Sequence, residues 1–165
     1  SLCWCLRIMV SQIVNHIGNM GLLERRKTAF LCSSKTTSRN VIESFDWATC
    51  VSTDACIIGG FQTKLEKDVL QLLLKRHIPV IIVLARKMYK NLPAEIMDAI
   101  ERNEALVLSI SNLSRNTKES AWKRNKFVME QADDIVFGAL DTTSSLYSLA
   151  QQYQNKISKS PVTDA

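Results

Sequence analysis

The sequence predicts an α/β fold, a doubly wound and mostly parallel sheet lying between two layers of helices. Three observations carry that expectation. Short runs rich in Val, Ile, Leu and Phe recur along the chain with little polar alternation, as strands buried on both faces do. Segments with helical spacing separate them, so parallel neighbours can be joined by right-handed crossovers. Turn and capping residues stand at the junctions.

The elements follow in order. Residues 8–24 read as a short amphipathic helix with Ile13, Val14, Ile17 and Leu22 available for burial. "TAFLC" (28–32) is a buried strand. "RNVIESFDWATCV" (39–51) has helical spacing at Val41, Ile42, Phe45 and Ala48. "ACIIGG" (55–60) is a strand ending in two glycines, and "KLEKDVLQLLLKR" (64–76) is a strongly amphipathic helix. Thr63 and Glu66 form a capping box at its start. "PVIIVLA" (79–85) is the clearest strand. "AEIMDAIERN" (94–103) is a helix with Pro93 near its first turn. "ALVLSI" (105–110) is a strand, and Asn116 with Glu119 offers a second capping box before the helix over 121–132. "DIVFGAL" (134–140) is the fifth strand, and Ser144 to about Lys156 the last helix. The expected organisation is an N-terminal helical segment over 1–24, a Rossmann-like three-layer αβα sandwich over 25–157, and a frayed polar tail over 158–165.

Composition narrows the function classes. The 165 residues suit one domain, and 46% hydrophobic content can fill a core. The formal charge of +5 favours anionic partners without requiring nucleic acid. The cysteines Cys3, Cys5, Cys32, Cys50 and Cys56 form no CxxC pair, and His16 and His77 are the only histidines, so a structural zinc site is not expected. The odd count suits a reducing cytoplasm better than a disulfide framework. The apolar opening is interrupted by Arg7 and Gln12 and is too short to span a membrane.

In such a fold, ligands bind beyond the carboxyl ends of the strands. The loops there are "SSKTTSR" (33–39), "GGFQT" (59–63), "ARKMYK" (85–90), "SNLSRNTKES" (111–120) and "DTTSS" (141–145). Hydroxyls, cations, glycines and helix N-termini converge on one edge, which is what an anion site requires. The candidate nucleic-acid or phosphate residues are Ser33, Ser34, Lys35, Gly59, Gly60, Arg124, Asn125, Ser144 and Ser145. Lys35 and Arg124 would neutralise phosphates. Gly60 would let a ligand approach the backbone. The serines would donate hydrogen bonds, and Phe61 or Tyr89 could stack on a base. No catalytic residue, metal or cofactor is expected.

The helix over 121–132 places cations near its own N-terminus, where the dipole disfavours them. On a wheel of about 100° per residue, Ala121, Val128, Met129 and Ala132 share a face with Asn125 at its middle. Lys123 and Lys126 fall on the far side, and Arg124 on the border. Asn125 then points at the sheet, where a buried amide needs a partner, and Arg124 reaches the crevice rim.

"KRNKFVMEQADDIVF" (123–137) resembles the Arg-Asn-Arg segment of the DNA-processing protein A (Smf) family, within the superfamily that also holds the Lonely Guy nucleotide hydrolases. "TAFLCSSK" (28–35) is similar to that family's first strand and Gly-Ser-Arg loop, "IIGGF" (57–61) to its Ser-Gly turn, and "TSSLYSLA" (143–150) to its Gly-Ser-Leu helix start. The ordered set covers roughly residues 25–155. Cys32 stands in place of the first-loop glycine, Ser34 of its arginine, and Ser144 of a glycine in the last motif. Thr63 and Lys64 replace an Arg-Gly pair. A closing strand is not evident after Lys156. The resemblance implies a stand-alone core domain with a basic pocket for single-stranded DNA, a homodimer, and a recombinase as partner.

Three functions remain open. The first is a module holding single-stranded DNA at the strand-end edge. The second is a sensor of a nucleotide or small phosphate in the same crevice. The third, a nucleotide phosphoribohydrolase, needs a Gly-Gly-x-Gly-Thr loop and a following glutamate, whereas the counterpart here is "DTTSSLYS". No Ser-His-Asp or Cys-His arrangement is apparent, so the chain reads as a non-enzyme.

Overall fold

A computed structural model describes residues 11–160. Seven strands form one sheet: β1 (Asn15–Gly18), β2 (Thr28–Cys32), β3 (Ile57–Gly59), β4 (Val80–Leu84), β5 (Ala105–Ser109), β6 (Asp134–Ala139) and β7 (Ile157–Lys159). Their spatial order is β1-β5-β4-β3-β2-β6-β7. Only β1 runs antiparallel. Strands β4 and β5 are buried at every position, as their unbroken apolar sequence requires.

Two cores flank the sheet. The helices α1 (Ser38–Cys50), α2 (Lys64–Lys75) and α3 (Ala94–Glu101) supply Ala48, Leu65, Leu73 and Ala99 to one face. The helices α4 (Lys118–Gln131) and α5 (Ser145–Ala150) supply Phe127, Val128 and Leu146 to the other. This is the doubly wound αβα sandwich that the apolar runs predict. The chain steps from β2 out to β5 on one side, then returns through α4 to set β6 against β2. The winding therefore reverses between β2 and β6, which is where open α/β sheets present their ligand crevice. The two strands slip register there, with Leu31 opposite Phe137 and Cys32 opposite Ala139. Gly138 is the extra residue, and a Cβ on it would lie 2.6 Å from Ser44 Oγ and 2.7 Å from Cys32 Sγ. The bulge bends both strand ends at the crevice.

Several expectations need correction. The helix expected over 8–24 is present at residues 11 and 12 but not beyond them, and its positions 8–10 lie outside the described residues. Instead β1 pairs with β5, and Met20–Glu24 makes a 3-10 turn. Gly18 at φ 113 leaves the helical region, and the Asn19 side chain accepts from the Gly21 N–H to start the turn. Ile13, ahead of β1, packs against the core, whereas Val14 beside it is exposed. The capping box of α4 is Thr117 with Ser120, one residue beyond the expected Asn116 and Glu119. The last helix ends at Ala150 and continues as a 3-10 segment kinked at Tyr153. A closing strand does exist: β7 pairs with β6, so Ser158 and Lys159 belong to the sheet rather than to a frayed tail.

Candidate nucleic-acid interface

The loops after β2 and β6 lie side by side at the reversal point. Ser33 is buried, and its N–H donates to the Ala139 carbonyl at 3.0 Å. Its Oγ accepts from the Asp141 N–H at 2.8 Å, which fastens one loop to the other. Ser34 and Lys35 are exposed beyond that link. Across from them, Ser144 caps α5, accepting from the Tyr147 N–H and donating to the Asp141 carbonyl at 2.6 Å. Ser145 is exposed. Between the loops opens a crevice of about 510 Å³, lined by Lys35, Thr36 and Thr37 on one side and by Asp141, Thr142 and Thr143 on the other. Sequence pattern alone does not distinguish these threonines or Asp141, because runs of Ser, Thr and Asp are common in all turns.

Asp141 sets the electrostatics of this crevice. Its Oδ1 accepts from the Thr143 N–H at 3.0 Å and from the Thr143 hydroxyl at 2.8 Å. Those bonds, joined by attraction to Lys35, hold its carboxyl below the usual aspartate range. Near neutral pH the crevice therefore carries a carboxylate beside its lysine.

A second cluster gathers at the ends of β3 and α4. Arg124 is 6% exposed, against its expected place at the rim. It lies across Gly60, where an added Cβ would stand 2.5 Å from Arg124 Nε and 2.8 Å from Cζ. Gly60 thus makes room for an arginine of the protein itself. Gly59 is equally tight, since a Cβ there would meet the Phe30 carbonyl at 2.9 Å. Asn125 is half-buried, and its Oδ1 accepts from Arg124 Nε at 3.3 Å and Nη2 at 3.2 Å. Burial lowers the Arg124 pKa and the Glu66 carboxylate opposes that shift, so the guanidinium stays charged at neutral pH. The neighbouring cations have partners on the helix surface: Lys123 pairs with Glu119 at 3.2 Å, and Lys126 lies 5.4 Å from the Trp122 ring centroid.

Glu66 joins the clusters. It is 5% exposed. Its Oε2 accepts from the Cys32 N–H at 2.8 Å, and its Oε1 from the N–H groups of Gln62 at 2.9 Å and Thr63 at 3.0 Å. The Thr63–Glu66 capping box is present as expected. The sequence did not disclose that the same carboxylate also closes the end of β2, a contact 34 residues away. These donors are spent on Glu66 and are closed to an external anion. Among the described residues, no group of three His, Cys, Asp or Glu side chains is placed to hold a metal ion, and no helix is long and apolar enough to cross a membrane.

No protein-family model matches the chain. No curated protein matches it by sequence. Solved structures do share its fold. DNA processing protein A from Helicobacter pylori, reported for its single-stranded DNA binding mode, is similar at 21% identity with a TM-score of 0.66. The likeness covers 86% of this chain and 68% of that one. DNA processing protein A from Streptococcus pneumoniae is similar at 16% identity with a TM-score of 0.74, over 94% of this chain and 60% of that one. The fold expected from the quoted motifs is the fold observed.

Proposed function

We propose that this chain is a DNA-processing module that binds single-stranded DNA along the carboxyl edge of its sheet. The observation that carries the reading is the crevice at the winding reversal, where a lysine and a row of hydroxyls from two loops are locked together by the Ser33–Asp141 bond. Lys35 would take a phosphate, and the threonine and serine hydroxyls would donate to its oxygens. Arg124, charged and buried over Gly60, would supply a second positive centre along the same edge. The fold shared with a DNA processing protein A reported for single-stranded DNA binding supports this reading. The module acts by binding rather than catalysis. Self-association and a recombinase partner belong to the same reading, and sedimentation of the free and DNA-bound chain tests the first.

Fluorescence anisotropy of a labelled oligo-dT tests the binding. Wild type should bind saturably, and Lys35→Ala, an exposed and structurally harmless change, should weaken it. Arg124→Ala should weaken it further. Absence of binding at low salt overturns the reading. The crevice volume of about 510 Å³ also suits a mononucleotide. Competition by dTMP at concentrations comparable to the oligonucleotide would favour that second reading.

A further inference from the structure

We propose a second ligand site, between α2 and α3, for an uncharged planar heterocycle of nucleobase or nucleoside size. A cavity of about 450 Å³ opens between α2 and α3 beyond the ends of β3 and β4. That volume lies in the range of about 300–1,000 Å³ common to small-molecule sites. Its apolar lining includes Phe61, Ile82, Leu84, Leu92 and Ile96. Arg124 belongs to α4 on the other face, and Gly60 borders both places.

Three features fit this class of ligand. Phe61 is buried with φ 51, a left-handed backbone that a bulky residue rarely adopts. Its ring is thereby fixed in the cavity wall. Tyr89 adds a second ring, which the Arg86 guanidinium holds from 4.0 Å. The exposed amides of Gln71 and Asn91 border the same space and make no side-chain hydrogen bond among the described residues. Each offers a donor and an acceptor, the combination that reads the edge of a heterocycle. Asp68, also at the border, is paired with Lys64 at 3.1 Å, and Lys67, the one cation in the lining, stands exposed beside it. The buried part of the lining, Phe61, Leu70, Ile82, Leu84 and Val107, is apolar throughout, so the body of the cavity favours a neutral ring over a phosphate.

Calorimetric titration with adenosine, with ribose as the ring-free control, tests the site. Wild type should bind adenosine saturably and gain thermal stability with its concentration, and ribose should do neither. Ile96→Trp, which fills a half-buried position in the wall, should abolish binding; its unliganded melting curve verifies that it folds. Asn91→Ala, on an exposed loop, should weaken adenosine about three- to tenfold. Lys35→Ala, outside the lining, should leave it unchanged, separating this site from the DNA crevice. No saturable binding to wild type overturns the proposal. Binding that survives Ile96→Trp, or that vanishes in Lys35→Ala, overturns it as well.

Discussion

Gly60 and Arg124 share one volume. The guanidinium occupies the space a side chain at residue 60 would need, with Nε 2.5 Å from the position of the missing Cβ. Gly60→Ala must therefore displace Arg124 from its place above the backbone. A displaced Arg124 loses its bonds to Asn125 and its approach to Glu66. Overpacking of this kind costs about 1–3 kcal/mol. Gly60→Ala should lower stability by that amount in urea titrations and weaken oligo-dT as Arg124→Ala does. Loss of stability with DNA affinity intact would detach Arg124 from the interface. At this scale the sequence was partly readable. The glycines and Arg124 stood out as candidates, but a helical wheel scores arginine only by polarity. It knows nothing of a glycine vacating room on a neighbouring strand end. Glu66 was legible as a cap because its partner lies three residues away, and illegible as a clasp on Cys32.

The helix that carries Arg124 is set by its first turn. Both Asn116…Glu119 and Thr117…Ser120 satisfy a capping pattern, and the chain uses the second. The Thr117 hydroxyl accepts from the Ser120 N–H at 3.0 Å, and Ser120 Oγ accepts from the Thr117 N–H at 2.9 Å. Ser120 is buried, so this box also seals the helix against the core. Glu119 points instead to Lys123 on the surface. Thr117→Ala should then cost about 0.5–2 kcal/mol. Asn116→Ala, whose exposed amide gives only a 3.3 Å bond to Gln62, should stay within about 0.5 kcal/mol. Chemical denaturation of the two variants decides between them, and a larger loss for Asn116→Ala would move the helix start back by one residue. The edge strands show the same limit of local patterns. "TAFLC", "PVIIVLA" and "ALVLSI" announced themselves because strands covered on both faces must be apolar. "NHIG" and "ISK" did not, because short polar edge strands discourage further pairing and so resemble loops.

The whole molecule adds what no single element holds, the placement of β6 beside β2. Chain order puts them a hundred residues apart, and only the reversal of winding makes the loops after them neighbours. The apolar runs made the layered fold readable, yet they carry no record of strand order, so the crevice could be placed on an edge but not between two named strands. Its electrostatics are also a property of the assembly. The chain has 21 Lys and Arg against 16 Asp and Glu, a mild excess, and Asp141 offsets part of it at the crevice itself. Two phosphate contacts, at Lys35 and Arg124, would give log affinity a slope against log salt of about −1.4 on a single strand, or about sevenfold weaker binding from 50 to 200 mM salt. Lys35→Ala should reduce that slope by about 0.7. Asp141→Asn retains an acceptor for Thr143 while removing the charge, so it should raise affinity for oligo-dT at low salt. Because its carboxyl is held below the ordinary range, Asp141 stays ionised down to acidic pH, and between pH 5 and 8 it should add no pH dependence of its own. A slope near zero, or an Asp141→Asn variant that binds more weakly, would show that the crevice does not hold phosphate through these charges.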